Sequence, residues 1–153
     1  MKTLTRISAL LILPAMLFSC KDKIEEFITV NEPVYLSYEA LRNSLKVAES
    51  QDIVQPGKIY FYNEYIFVNE YQRGIHIINN SNPADPQNVA FIDIPGNMEL
   101  AVKGNFLYAD LYTDLVTLDI TDPLNAKVKS IADNAFPDRS YSNGFVPDES
   151  RVI

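Results

Sequence analysis

Between residues 57 and 131, short apolar runs alternate with clusters of turn-forming residues. Runs of this length, rich in β-branched and aromatic side chains and bounded by Gly, Pro, Asn or Asp, are typical of antiparallel strands. The pattern predicts eight strands in two sets of four. The first set is Lys58–Tyr62, Tyr65–Glu70, Gly74–Ile78 and Val89–Ile94, and the second is Glu99–Lys103, Phe106–Asp110, Leu115–Ile120 and Lys127–Ile131.

The two sets repeat at an offset of forty residues. An acidic residue, Glu70 and then Asp110, closes the second strand of each set. An Asx-Pro turn follows the third strand both times, as Asn82-Pro83 and then Asp122-Pro123. A period of about 40 residues with four strands is the signature of β-propeller blades, each of which covers its apolar faces by stacking on a neighbour. The repeat therefore predicts an all-β fold.

We expect about two and a third propeller-like blades of four antiparallel strands: blade one at about 57–96, blade two at about 97–136 and the start of a third at 137–153. A closed propeller needs at least four blades, or about 160 residues of repeat. Only 98 residues run from Pro56 to Ile153. The sequence is therefore expected to be the N-terminal fragment of a longer protein. The alternative is a small protein that completes its ring by oligomerising.

The segment before the repeats, residues 20–56, is predicted to hold a tether and one short helix. Ser37 offers an N-cap, and the helix dipole favours Glu39 in the first turn. Leu41 and Leu45 lie on one face of a helix over Tyr38–Lys46, because residues four apart are neighbours on its surface. Gln55-Pro56-Gly57 is a turn signal that closes the segment.

The first nineteen residues are predicted to be a cleavable signal segment. Lys2 and Arg6 precede an apolar run at 7–18, which is shorter than the roughly 20 residues that a membrane-spanning helix needs. Leu17-Phe18-Ser19-Cys20 resembles the lipobox of bacterial lipoproteins. The resemblance implies cleavage between Ser19 and Cys20 and a diacylglycerol on the Cys20 thiol, which would anchor the protein to a membrane. An ordinary secretory peptide with an incidental Cys is the alternative.

The strand sequence Leu115-Val116-Thr117-Leu118-Asp119-Ile120 resembles the core of the LVIVD repeat, a propeller-like repeat of secreted bacterial proteins. Gly74–Pro83 resembles a second copy, with Asn79 where the motif usually has Asp. With the lipobox, the chain is similar to LVIVD-repeat propeller lipoproteins of Gram-negative bacteria. This similarity implies an outer-membrane location, with the cell-surface or periplasmic face left open, and no catalytic residue. It implies structural roles for the repeat-signature residues, which are Glu70, Gly74, Asn82, Pro83, Asp110, Asp119, Asp122 and Pro123.

Composition narrows the classes of partner. The 153 residues include 13 basic and 20 acidic side chains, a net charge of −7. An acidic chain lacks the basic patch that a phosphate backbone requires, so we expect no nucleic-acid partner. The single Cys excludes an internal disulfide and a Cys-based zinc site, and the single His argues against a His-rich metal centre. We predict no metal and no cofactor other than the lipid on Cys20.

Three ionisable residues of the predicted strands can be interpreted either as catalytic groups or as structural ones. His76 alternates with Ile75 and Ile77, so it points to the opposite face, where we expect it to pack against a neighbouring blade. Glu70 and Asp110 are carboxylates that an acid–base enzyme would need. Their matching positions favour a repeated structural role, such as accepting backbone N–H groups at a turn.

Two further groups of side chains are ambiguous. Asp119 and Asp122 suggest calcium, but the sequence has no EF-hand loop, and Asp122-Pro123 is a good turn by itself. Six tyrosines suit either a carbohydrate-binding face or packing between strands, namely Tyr60, Tyr62, Tyr65, Tyr71, Tyr108 and Tyr112.

Two classes of function remain. The first is a lipid-anchored scaffold of the cell envelope that binds a protein or a glycan. The second is an envelope enzyme with a channel site assembled mostly from blades beyond residue 153. A propeller fold by itself decides neither, and the sequence favours the scaffold because no nucleophile or phosphate-binding motif occurs in it.

Overall fold

The computed structural model describes residues 37–137. This part of the chain holds the helix α1 (Tyr38–Ser44), a 3-10 helix (Pro123–Asn125), and the strands β1 (Lys46–Ala48), β2 (Pro56–Tyr62), β3 (Tyr65–Glu70), β4 (Gly74–Asn79), β5 (Gln87–Asp93), β6 (Leu100–Lys103), β7 (Phe106–Leu111), β8 (Asp114–Asp119) and β9 (Lys127–Ala132). The predicted signal segment, Cys20, the tether and residues 138–153 of the predicted third blade lie outside the described residues.

The strands form two antiparallel sheets. The first sheet has the order β1-β5-β4-β3-β2, and the second has the order β6-β7-β8-β9. The eight predicted strands, β2 to β9, are all present, with ends within two residues of the predicted ones. The prediction of a mostly β fold with two successive four-strand units is confirmed, because each unit pairs in chain order as a meander.

The predicted helix is too long, and a strand was missed. Ser37 caps α1 as expected, since its hydroxyl accepts a hydrogen bond from the Ala40 backbone N–H (3.2 Å). The helix ends at Ser44 instead of Lys46 because Leu45 adopts an extended conformation. Lys46 then begins β1, in which Val47 pairs with Ile92 of β5. The first sheet therefore has five strands, where the sequence pattern predicts four.

The hydrophobic core lies between the two sheets. The first sheet contributes side chains such as Phe67, Ile75 and Ile77, and the second contributes Leu107 and Val116, all fully buried. Burial of one such side chain stabilises the fold by about 1.5–3 kcal/mol. Leu41 of α1 is also fully buried in this core, so one face of the helix packs on it.

The structural offset between equivalent positions of the two four-strand units is not forty residues throughout. The β2–β3 hairpin closes on the pair Tyr62–Tyr65 and the β6–β7 hairpin on the pair Lys103–Phe106, which is an offset of 41. The β3–β4 turn is one residue longer than the β7–β8 turn, so β4 and β8 return to an offset of 40.

This shift corrects the predicted equivalence of Glu70 and Asp110. Glu70 is the last residue of β3, whereas Asp110 is the penultimate residue of β7. The structural counterpart of Asp110 is Asn69. Because side chains alternate along a strand, Glu70 and Asp110 lie on opposite faces of their sheets.

A connection crosses the first sheet. Because β1 and β2 are at opposite edges, residues 49–55, which we call the crossing segment, must pass over the sheet. Gln51 accepts a hydrogen bond on its backbone carbonyl from Asn88 Nδ2 (2.7 Å), and the Val54 and Gln55 backbone N–H groups donate to Glu70. The crossing segment therefore lies on the face that points away from the second sheet.

Candidate functional site

The buried polar side chains of the described residues lie near one end of the two sheets. This end consists of the β3–β4 turn, the β7–β8 turn, the β5–β6 connection and residues 133–137, and we call it the polar end. Backbone hydrogen bonds hold these segments together: Gln72 N–H donates to the Asn97 carbonyl (2.6 Å), and Phe136 N–H donates to the Thr113 carbonyl (2.9 Å). Three side-chain clusters lie here.

The first cluster joins Glu70 to His76 beneath the crossing segment. Both side chains are almost completely buried, and His76 Nε2 lies 3.0 Å from Glu70 Oε2. The Glu70 carboxylate also accepts the backbone N–H groups of Val54 (3.1 Å) and Gln55 (2.5 Å). The predicted role of Glu70, a carboxylate that accepts backbone N–H groups, is therefore confirmed.

These hydrogen bonds fix the charge of Glu70. Burial alone would raise the pKa of its carboxyl group, but the hydrogen bonds from Gln55, His76 and Val54 outweigh burial and lower the pKa below its ordinary value of 4.5. Glu70 is therefore an anion at neutral pH. It holds the crossing segment against the sheet.

The prediction that His76 packs against a neighbouring blade is wrong. His76 does point away from the face of Ile75 and Ile77, as predicted. However, the crossing segment covers this face, so the His76 side chain contacts its own sheet and not a neighbouring blade. Its ring meets the Phe91 ring edge-on at 4.9 Å, and its Nδ1 atom is buried without a hydrogen-bond partner in residues 37–137.

The second cluster links the end of β3 to the β5–β6 connection and the end of β7. Asn97, fully buried in the β5–β6 connection, accepts a hydrogen bond on Oδ1 from Asn69 Nδ2 (2.5 Å) and donates from Nδ2 to Asp110 Oδ1 (2.8 Å). Asp110 also accepts the backbone N–H groups of Met98 (3.0 Å) and Glu99 (2.8 Å). The predicted role for Asp110 is confirmed, and the cluster fixes the start of β6 against β3.

The third cluster forms a cleft between α1 and the second sheet. Arg42 donates from Nε (3.1 Å) and Nη2 (2.7 Å) to Asp114 Oδ2, and its Nη2 also lies 2.7 Å from Asp133 Oδ1. Asp114 is buried, and its other oxygen accepts the Asn134 backbone N–H (2.9 Å). The hydrogen bond to Asp114 raises the pKa of Arg42, which therefore stays cationic.

The opposite end of the sheets carries the Asx turns. Asp119 Oδ1 accepts the Thr121 backbone N–H (3.0 Å), and its counterpart Asn79 does the same for Ser81 (2.9 Å). Asp122 caps the 3-10 helix through the Leu124 backbone N–H (3.2 Å). The turn interpretation of both aspartates is thus confirmed, and no group of three potential metal ligands occurs among the described residues.

The six candidate tyrosines do not share one role. The Tyr60 hydroxyl donates to the Val102 carbonyl (2.8 Å), and the Tyr62 hydroxyl donates to Asn105 Oδ1 (3.0 Å), so both tie the first sheet to the second. Tyr112 packs over Gly96, whose φ of +73° and close contact with the ring leave no room for a Cβ atom. These three side chains serve packing between elements.

Several residues of the polar end were not predicted from the sequence. Arg42, Asn97, Asp114 and Asp133 have no place in the repeat signature, and their partners are distant along the chain, up to 91 residues for Arg42 and Asp133. The available signal was weak: Asp114 is a charged residue at the start of a strand that proves fully buried. Such a residue requires a partner.

Comparisons of the chain with known protein families, with curated proteins and with solved structures give no match. Within residues 37–137, no helix is long and apolar enough to cross a membrane.

Proposed function

We propose that this chain is a lipid-anchored scaffold of the cell envelope, in which the two sheets are consecutive blades of a β-propeller and the polar end binds a protein or a glycan. The lipid is attached to the Cys20 thiol, and cleavage behind Ser19 follows. The location that fits the motifs is the outer membrane.

The observation that carries the propeller proposal is the direction in which the sheets stack. The face of the first sheet that packs on the second contains Phe67 and Ile75. Their register counterparts, Tyr108 and Leu115, lie on the face of the second sheet that points away from the first. The sheets therefore stack front to back, as successive blades do, whereas a symmetric sandwich would bring two equivalent faces together.

The crossing segment covers the centre of the first sheet's outer face but leaves the β2 edge of that face exposed. Ile59 and Phe61 of β2 are 60% and 67% exposed. Their register counterparts, Leu100 and Val102 of β6, pack in the core between the sheets. We propose that a further sheet of the same repeat covers Ile59 and Phe61 and closes the ring, since large exposed apolar side chains on an edge strand favour association.

The buried ionic groups of the polar end support a scaffold. The Glu70 and Asp110 carboxylates are engaged with backbone N–H groups, and Asp114 is engaged with Arg42. These interactions hold the connections between strands in fixed positions. Loops held in this way on a rigid sheet are the usual place for recognition of a partner.

The lipid anchor is tested by the variant Cys20→Ser. The wild-type protein is expected in the membrane fraction and to take up labelled fatty acid, because acyl chains add about 0.8 kcal/mol of membrane affinity per buried CH₂ group. The variant is expected to take up no label and, because cleavage follows lipidation, to keep its signal segment. The control Ser19→Ala keeps a small residue before the cleavage position and should behave as the wild type. Label on the Cys20→Ser protein, or none on the wild type, would contradict the proposal.

A further inference from the structure

The cleft at the third cluster has the size and lining of a small-ligand site. Its volume is about 430 Å³, and it is lined by Tyr38, Arg42, Thr113, Asp114, Asp133 and Asn134. Binding sites for small molecules occupy roughly 300–1,000 Å³ and carry a few fixed polar groups. The three contributing segments are α1, the β7–β8 turn and the residues after β9.

The polar groups of the cleft are held in position before any ligand arrives. Two hydrogen bonds from Arg42 to buried Asp114 fix the guanidinium plane, and the ring of Tyr38 lies 5.7 Å from the Arg42 guanidinium carbon. Asn134 adopts a left-handed conformation with φ of 49°, which lets its backbone N–H reach Asp114. Fixed donors and acceptors lower the entropy that binding would otherwise cost.

Several hydrogen-bonding groups of the cleft have no partner among the described residues. They are Arg42 Nη1, the Thr113 hydroxyl, the Asn134 side-chain amide and the second carboxylate oxygen of Asp133. Together they offer donors and acceptors side by side. The Asp133 side chain is 73% exposed, so its free oxygen is accessible from solvent.

The charge of the cleft selects among ligand classes. Two carboxylates, Asp114 and Asp133, face one guanidinium, which leaves a net negative charge that disfavours anions. A cation would have to displace Arg42, which is already bonded to both carboxylates. A neutral ligand rich in hydroxyl groups fits the remaining donors and acceptors, and the Tyr38 ring offers an apolar surface to its C–H groups.

We infer that this cleft binds a neutral carbohydrate. The inference depends on the proposed function, because it names the ligand class of the polar end. Hydroxyl groups of the carbohydrate would donate to the free carboxylate oxygen of Asp133 and to the side-chain carbonyl oxygen of Asn134. They would accept a hydrogen bond from Arg42 Nη1. The Thr113 hydroxyl would provide one further contact.

The test uses the mature chain, without residues 1–19 and with Cys20→Ser, so that neither the signal segment nor the lipid is present. It is applied to an array of neutral and anionic oligosaccharides, and the strongest neutral oligosaccharide is then titrated calorimetrically. We expect binding to neutral oligosaccharides, with affinity at least about tenfold lower in Asp133→Asn, because a charge-assisted hydrogen bond is lost. Thr113→Val, which preserves shape, should lower affinity about fivefold. The matched control Asp85→Asn removes an exposed carboxylate at the opposite end and should change nothing.

Three outcomes would overturn the inference: no binding to any neutral oligosaccharide at millimolar concentration, binding to anionic oligosaccharides alone, or binding that Asp133→Asn and Thr113→Val leave unchanged. Thermal midpoints equal to that of the parent show that the variants are folded. Membrane attachment is measured separately with the Cys20 variant. A failure of carbohydrate binding therefore does not contradict the lipid-anchored propeller, and a failure of the lipid anchor does not affect the binding experiment.

Discussion

Replacing Glu70 with alanine is expected to lower the free energy of unfolding by about 3–5 kcal/mol, because each buried donor left without a partner costs about 1–3 kcal/mol. The carboxylate accepts the Val54 and Gln55 backbone N–H groups and contacts His76 Nε2. Its removal leaves these donors without a partner and frees the crossing segment. Urea unfolding of the mature chain, without residues 1–19 and with Cys20→Ser, measures the change.

The matched control for Glu70→Ala is Glu99→Ala. Glu99 pairs with Lys58 at the surface, where both side chains are more than half exposed, so its loss should cost less than about 1 kcal/mol. Glu70 also makes stability depend on pH. Because its pKa is lowered on folding, its contribution is present above about 4.5 and is lost as the pH falls through the lowered pKa. Glu70→Gln should flatten this slope. Equal effects of Glu70→Ala and Glu99→Ala would contradict the role assigned to Glu70.

The second large effect is expected for Arg42→Met, which should also lower the free energy of unfolding by about 3–5 kcal/mol. The variant keeps the aliphatic part of the side chain but leaves the buried Asp114 carboxylate without its cationic partner. The double variant Arg42→Met with Asp114→Asn should recover part of the loss, since the unpaired buried charge is then removed. Urea unfolding again provides the measurement.

Arg73→Met is the control for this second prediction. The Arg73 guanidinium donates to Gln51 Oε1 in an exposed hydrogen bond, and the change should cost less than about 1 kcal/mol. Two results would show that Arg42 and Asp114 are not a coupled buried pair. One is an effect of Arg42→Met as small as that of Arg73→Met. The other is a double variant whose loss of stability equals the sum of the losses of Arg42→Met and Asp114→Asn alone.

The strands were predictable because their signal is local. Each of β2 to β9 carries its own alternation or apolar run, and its ends are marked by turn residues such as Asn63-Glu64 and Gly104-Asn105. The cap at Ser37 is local in the same sense. These features do not depend on which other parts of the chain fold against them.

The features that were missed depend on distant partners. β1 has three residues and exists because β5 offers an edge to pair with. The offset of 41 in β2 and β3 arises because the β3–β4 turn has one residue more than the β7–β8 turn, which a match of residue types at forty cannot reveal. The crossing segment follows from β1 and β2 being at opposite edges. None of these has a signature within its own residues.

The candidate site shows the same division. The backbone N–H acceptor roles of Glu70 and Asp110 were predicted from their matching positions at an offset of forty, although the structure shifts that match by one residue. The face on which His76 lies was predicted from the alternation of side chains, but the crossing segment that covers this face was not predicted. Arg42 and Asp133 come together across 91 residues, so only the fold brings them to one cleft.

The most direct test of the central claim, that a further sheet of the same repeat covers the first sheet, is the labelling rate of a cysteine at position 61. In the protein produced from its own gene, with Cys20→Ser, the variant Phe61→Cys is compared with Glu64→Cys, at the exposed β2–β3 turn. If the ring closes, a soluble maleimide should label position 61 at least about tenfold more slowly than position 64, since labelling then requires local opening. Equal rates at the two positions in the folded protein would contradict the propeller account.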